Sequence, residues 1–187
     1  MLYYSPQIWA SDNTDPIERL YIQFGTSLCY PASTVGAHVS ACPRTGYETK
    51  GNVALWGTFG YELDPRKLTE NDRAIVRRQV ALYHDTYDLI RTGDLYRLVS
   101  PFDNAFRAVW QIVSEDKSRT MVTVVTMRMD YIPHTILRLR GLEPDRIYED
   151  EQTGKRYSGA LLMNAGLNLT YTANSDGASA VLLFRAV

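Results

Sequence analysis

Cysteine is scarce in this chain. Cys29 and Cys42 are the only two among 187 residues. Two cysteines cannot build a disulfide framework, so each reads as a small packed thiol, and a cytoplasmic setting is expected. Histidine is almost as thin. His38, His84 and His134 are widely spaced, and no His, Cys or carboxylate cluster has metal-ligand spacing, so neither a metal nor a cofactor is expected. Neither sign of charge is in excess: 20 Lys and Arg against 21 Asp and Glu leave a net charge of −1, with no basic run. That balance argues against nucleic acid as a partner. No apolar stretch approaches the roughly 20 residues of a membrane span, so no membrane partner is expected. The opening "MLYYSPQIW" has neither a basic leader nor a small-residue cleavage site, so it does not read as a signal peptide.

What is present is ordinary globular composition, 45% hydrophobic and 22% charged, which is enough to bury one good domain or two small ones. The chain divides near residue 95. In the first part, "LYYSPQIW" reads as a buried strand. Asp15 can cap a helix, with Pro16 at its first position and Glu18 three residues after the cap. Ile17, Leu20, Tyr21 and Phe24 make the apolar face of that helix, and Gly25 can end it. "CYPASTVGAHVSA" and "NVALWGTF" read as two further strands. Thr69 then opens a long helix with Asp72 in its first turn; Val76, Val80, Tyr83, Tyr87 and Ile90 form one stripe, and Gly93 is the expected stop. This order of strands and helices predicts parallel α/β units. From residue 96 onward the character changes. "FRAVWQIVS", "RTMVTVVTMRM", "HTILRLRGL", "LNLTYTA" and "AVLLFRAV" are β-rich and separated by turn signals such as "SEDKS" and "EQTGK", which predicts an antiparallel β-sandwich.

The stretch "QIWASDNTDPIERL" concentrates the chemistry. Asp15 already fills the cap position, which leaves Asp12 without a local duty. An Asp between a strand and a helix serves most often as a turn residue. In α/β barrels, however, catalytic groups sit where strands run into helices. Trp9, Ser11 and Asn13 flank Asp12, and an aromatic face beside a carboxylate and an amide suits a sugar. His38, in "VGAHVSA", reads either as a hydrogen-bonded structural histidine or as a functional one. Gly57, Gly60 and Tyr61 are expected in the loop after "NVALWGTF". Glu62 and Asp64 are expected to cap or pair with Arg66 and Lys67, and Arg19 with a neighbouring carboxylate. Trp56 is expected in the core.

"YYSPQIWASDNTDPIERL", "YPASTVGAHVSA", "GNVALWGTFGYELDPRKL", "GDLYRLVSPF" and "LMNAGL", in this order and over nearly the whole chain, resemble glycoside hydrolase family 36 α-galactosidases. The resemblance implies the last strands and helices of a (β/α)8 barrel over residues 1–95 and a C-terminal β-sandwich over residues 96–187. It implies a retaining hydrolysis of terminal α-linked galactose from raffinose-type oligosaccharides, with Asp12 of the Ser-Asp-Asn triplet as general acid/base. Trp9, Ser11, Asn13 and His38 are the substrate-binding candidates. The family's nucleophile lies in a Lys-Trp-Asp motif. None of Trp9, Trp56 and Trp110 stands between Lys and Asp, and the family's Cys-Ser-Gly-Gly run is also absent. The chain therefore reads as a C-terminal piece of such an enzyme, supplying the acid/base but no nucleophile and inactive alone, with the full-length enzyme a homo-oligomer. The loop "SACPRTGYETKGN" is shorter than the family's pattern, which bears on its substrate contacts. The alternative is a non-catalytic carbohydrate-binding or structural module.

Overall fold

The computed structural model describes residues 3–130 and 135–187. Leu2, at the head of the first expected strand, and His134, at the head of "HTILRLRGL", lie outside the described residues. The chain forms two compact units, residues 1–91 and 92–187.

Among the described residues, the first unit contains α1 (Pro16–Thr26), β1 (Gly36–Ser40), α2 (Tyr47–Ala54), β2 (Thr58–Glu62) and α3 (Glu70–Thr92). Helix α1 starts where the sequence says it should: the Asp15 carboxylate accepts from Ile17 N at 2.9 Å and Glu18 N at 3.1 Å, and Pro16 fills a position that needs no donor. Its buried face carries Ile17, Leu20 and Phe24, but also Arg19 and Gln23. Strands β1 and β2 pair in parallel, Gly36 opposite Thr58 through Ser40 opposite Glu62. Ile8 joins β1 from the other side through a single parallel bridge to Val35. The expected strand "LYYSPQIW" is thus reduced to one bridge, with Tyr3 and Tyr4 exposed. Pro6 has no N–H to give a ladder, which is one reason the pairing stays short.

"NVALWGTF" is not a strand throughout. Asn52 to Ala54 close α2, Leu55 to Gly57 turn, and β2 begins at Thr58. Every residue from Thr49 to Ala54 is buried, so no polar face marks the helix period, and its N-cap, Gly46, has no side chain to announce it. Gly60 and Tyr61 therefore lie inside β2, not in a loop after it. Gly57 makes a close approach: a Cβ there would stand 2.5 Å from the Val35 carbonyl oxygen. Trp56 is fully buried against Phe24, as expected of core.

Helix α3 opens on a reciprocal cap, Thr69 Oγ1 accepting from Asp72 N at 3.1 Å and Thr69 N donating to Asp72 Oδ2 at 3.1 Å. Its buried residues are Gln79, Thr86, Leu89 and Ile90, whereas Tyr87 of the expected stripe is exposed. Gln79 can be inside because its amide is fully used: Nε2 donates to the carbonyls of Tyr47 and Glu48, and Oε1 accepts from the Tyr61 hydroxyl at 2.8 Å.

The second unit contains β3 (Asp94–Val99), β4 (Arg107–Val113), β5 (Arg119–Thr126), β6 (Ile136–Leu137), β7 (Ile147–Asp150), β8 (Arg156–Ser158), α4 (Gly159–Asn164), β9 (Leu167–Asn168) and β10 (Ser179–Ala186). Strands β3-β4-β5-β10-β7-β8 form one antiparallel sheet in that order, and β6 and β9 form a separate two-stranded ribbon. The long strands β4 and β5 fall on β-branched runs of the sequence, and β10 on "AVLLFRAV". Among the described residues, "HTILRLRGL" and "LNLTYTA" supply two ladder-paired residues each. The core gathers Val109, Val122, Val124, Tyr148, Leu162 and Phe184 with the ribbon's Leu137 and Leu167. Tyr148 is satisfied inside it: the hydroxyl donates to the Lys117 carbonyl at 2.8 Å and accepts from Glu143 N at 3.1 Å.

Candidate active site

Asp12 sits in a loop whose shape is set by its own short polar side chains. Ser11 Oγ accepts from Asn13 N at 3.1 Å, Asn13 Oδ1 accepts from Asp15 N at 2.9 Å, and Asp15 caps α1. Each is a side-chain-to-backbone turn of the kind Ser, Asn and Asp favour. The turns use only the acceptor side of Ser11 and Asn13, so the Ser11 hydroxyl hydrogen and the Asn13 amide NH2 remain donors for a ligand. The loop is also tied to the end of β1 and the segment after it: Ser40 Oγ lies 2.5 Å from Thr14 Oγ1, and Arg44 reaches Asp15 and Glu18 at 3.4 and 3.6 Å.

Beneath the loop lies Arg19, only 2% exposed. Its Nη1 donates to the carbonyls of Ser11 at 3.0 Å and Asn13 at 3.4 Å, and its Nη2 donates to the Gly36 carbonyl at 2.8 Å. The expected carboxylate partner is replaced by three carbonyl oxygens. A planar guanidinium fork can satisfy several carbonyls from one position, which a carboxylate-directed pair would not do here. Burial lowers the Arg19 guanidinium from its usual value.

Above the loop, Trp9 Nε1 donates to Asp12 Oδ1 at 2.7 Å. The indole stacks on the His38 ring, centroids 4.3 Å apart and planes 17° from parallel. Gly36 makes room for it, since a Cβ there would stand 2.7 Å from Trp9 Cε3. His38 is 7% exposed, with Nε2 lying 3.4 Å from Glu62 Oε2 and Nδ1 buried without a hydrogen-bond partner. Burial first, then the Arg19 charge, lower the His38 imidazole below its usual value, against the pull of Glu62 and Asp12. The imidazole is therefore neutral at pH 7. Glu62, expected near Arg66 and Lys67, faces His38 instead, whereas Asp64 does cap and pair with Arg66. Gln7, Trp9, His38, Gly60, Tyr61 and Glu62 line a cleft of about 270 Å³. Burial raises the Tyr61 phenol, so it stays a neutral donor to Gln79.

Asp12, Trp9 and His38 thus come together, with Ser11 and Asn13 in the loop below. Arg19 and Glu62 join them unannounced. The Arg19 signal was a charged residue between Ile17 and Leu20, inside an apolar stripe. Among the described residues, no group of three His, Cys, Asp or Glu is arranged to hold a metal ion.

The site thus consists of a carboxylate held by an indole at the end of a strand-like segment, beside a parallel pair. Residues 1–93 match the Melibiase family model, and residues 107–184 match the glycosyl hydrolase family 36 C-terminal domain. The chain belongs to glycoside hydrolase family 36. Within the family it is 47% identical over 176 residues to the bifunctional alpha-galactosidase/sucrose kinase AgaSK of Mediterraneibacter gnavus, covering 90% of this chain and 19% of that protein. It is 45% identical to alpha-galactosidase AgaA of Geobacillus stearothermophilus, covering 100% of this chain and 26% of the other. The solved galactosidase domain of AgaSK superposes with a TM-score of 0.94 at 43% identity, over 100% of this chain and 27% of that one. An AgaA variant solved in complex with raffinose gives a TM-score of 0.94 at 45% identity, with the same coverage. The chain spans about a quarter or less of the length of these family 36 relatives.

Proposed function

We propose that this chain supplies the acid/base half of a retaining α-galactosidase site, with Asp12 as the general acid/base and raffinose-type oligosaccharides as substrates. Residues 1–95 would be the last units of a (β/α)8 barrel and residues 96–187 a C-terminal β-sandwich. The single observation that carries the reading is the Asp12 carboxylate, exposed at a strand-to-helix junction and fixed by the Trp9 indole at 2.7 Å. The parallel order of the Ile8 segment, β1 and β2 supports the barrel reading, because each is followed by a helix.

In a retaining mechanism two carboxyl groups about 5–5.5 Å apart flank the scissile bond. One attacks the anomeric carbon. The other protonates the leaving oxygen and then deprotonates the incoming water. Asp12 fits the second role. The first belongs to a carboxylate outside these 187 residues, since no Lys-Trp-Asp stands in the chain. Trp9, Ser11, Asn13 and His38 would contact the sugar through the indole face, the hydroxyl, the amide and the imidazole.

The test is a chimera in which residues 1–187 replace the matching segment of the Geobacillus AgaA. Asp12→Ala should lower turnover of raffinose by about 10²–10⁴-fold, the usual loss for acid–base catalysis. An aryl galactoside with a good leaving group should lose less in its first step, and azide should rescue the second. Equal losses on both substrates without rescue would make Asp12 structural. The chain alone should not turn over an aryl galactoside. Activity that vanished in both Asp12→Asn and Glu62→Gln would show a complete pair of carboxylates within it.

A further inference from the structure

The Trp9 indole is committed twice: its edge to Asp12 and one of its faces to His38. We propose that Trp9, held from behind by a His38–Glu62 pair, gives the two oxygens of Asp12 unequal roles, with Oδ1 a fixed acceptor and Oδ2 the oxygen that carries the moving proton. The proposal rests on Asp12 being the acid/base and adds which atom acts and which residues make it act.

The argument begins with donors and acceptors. An indole nitrogen can only donate, so the oxygen 2.7 Å from it must be an acceptor and has no room for a proton on that side. Carboxyl oxygens are equivalent only when their surroundings are. Here one is occupied, so when the group is protonated the hydrogen sits on Oδ2. In the first step the bond from the anomeric carbon to the glycosidic oxygen breaks and that oxygen takes the Oδ2 proton. A carboxylate from outside this chain forms the new bond to the anomeric carbon. In the second step water oxygen bonds to the anomeric carbon, the carboxylate departs, and the water proton goes to Oδ2.

The indole must then be held, because Trp9 is itself 54% exposed. His38 does this as a flat neutral plate. With Nε2 facing Glu62 Oε2 at 3.4 Å, the ring proton belongs on Nε2 and Nδ1 is a bare acceptor, which matches its having no partner. Glu62 thereby fixes both the tautomer and the tilt of the ring on which Trp9 lies. Arg19 fixes the two ends of the same assembly, through the Ser11 and Gly36 carbonyls. Trp9, His38 and Glu62 are positioning residues in this scheme, and only Asp12 moves a proton.

Two measurements test it. In the 187-residue chain labelled with ¹⁵N-tryptophan, the Trp9 indole N–H resonance, assigned by its loss in Trp9→Phe, should shift in Asp12→Ala. Glu62→Gln should move it part of the way, with the Trp56 and Trp110 signals unmoved as a check on folding. In the AgaA chimera, Trp9→Phe keeps the ring and removes the donor. It should lower kcat on raffinose by about 10-fold to 100-fold, and Glu62→Gln by about threefold to tenfold. KM should change less than kcat, and an aryl galactoside with a good leaving group should be nearly spared. Equal loss on both substrates, or a Trp9 resonance indifferent to Asp12→Ala and Glu62→Gln, overturns the proposal. A chimera indifferent to Asp12→Ala would instead overturn the acid/base reading on which it rests.

Discussion

Replacing Arg19 by Met asks whether a buried charge without a carboxylate stabilises its surroundings. The methionine fills most of the space of the arginine stem and removes the donors. Two contacts are well formed, to Gly36 O at 2.8 Å and Ser11 O at 3.0 Å, while those to Asn13 O and Gln23 Oε1 are both at 3.4 Å and weak. Hydrogen bonds to a charged group contribute about 1.5–3 kcal/mol each, so the gross loss is about 3–6 kcal/mol. Against this stands the cost of keeping a guanidinium out of water, several kcal/mol for an ion this deeply placed. Burial acts in the same sense on the Arg19 guanidinium, lowering its pKa from the usual value. What remains is decided by the carbonyls left behind. Those of Ser11 and Asn13 lie in a loop that water can reach. Gly36 is buried at the start of β1, and leaving its carbonyl unpaired costs about 1–3 kcal/mol.

A net destabilisation of about 1–3 kcal/mol is therefore expected for Arg19→Met, read as a fall in urea midpoint by circular dichroism. Arg19→Lys keeps the charge but has no planar fork to span three carbonyls, so it should be no better than the methionine. A methionine variant as stable as the parent would mean that desolvation cancels the bonds. A lysine variant as stable as the parent would mean that the fork geometry is irrelevant. Either result refutes the account of how this loop is fixed.

Gly159→Ala should destabilise the second unit by about 1–3 kcal/mol or more in thermal unfolding, because its Cβ would stand 2.0 Å from the Glu143 carbonyl oxygen, which is backbone and cannot swing aside; an unchanged midpoint would contradict this. Asp116 supplies a pH test. The Ser118 backbone N–H, then the Ser114 and Ser118 hydroxyls, hold its carboxyl down at about 2. A depressed folded value means that its contribution is complete above the unfolded value of about 3.9 and is lost as pH falls through about 2. Asp116→Asn should therefore be less stable than the parent at neutral pH and converge with it across that acid window. Curves that stay parallel would show that the turn does not depend on the charge.

The parts of the fold legible in the sequence are those announced by caps and by β-branched runs. Asp15-Pro16 and Thr69 with Asp72 fix the starts of α1 and α3, because a helix start needs acceptors for its orphan N–H groups and few residue types supply them. Strands β4 and β5 follow from their Val-rich runs. Helix α2 was not legible, since burial on all sides erases the period that betrays a helix. The α3 stripe departs from expectation at one residue, Tyr87, for a related reason. A hydrophobicity count places Tyr87 inside and Gln79 outside, but Gln79 finds three partners and Tyr87 is left to solvent. "HTILRLRGL" alternates as a strand should, yet among its described residues only Ile136 and Leu137 are paired in a ladder. Leu139 and Leu142 are buried by packing, without a place in the ladder.

The candidate site divides along the same line. Asp12, Trp9, Ser11 and Asn13 are near one another in sequence, so their association could be read from spacing. His38 and Glu62 could not be joined without the register of β1 on β2. In that register His38 lies opposite Gly60, and Glu62 is two residues further along the same strand. Side chains alternate across a strand, so Gly60 and Glu62 share one face, the face toward which His38 points. Gly60 contributes nothing there, and a Cβ built on it would meet only open space. That missing side chain does two things at once. It keeps open the cleft beside the imidazole, and it leaves that strand face clear where the Glu62 carboxylate comes to within 3.4 Å of Nε2. A larger residue at position 60 would project into the cleft, so the glycine that looked like a turn signal acts instead as an opening in the strand face beside His38.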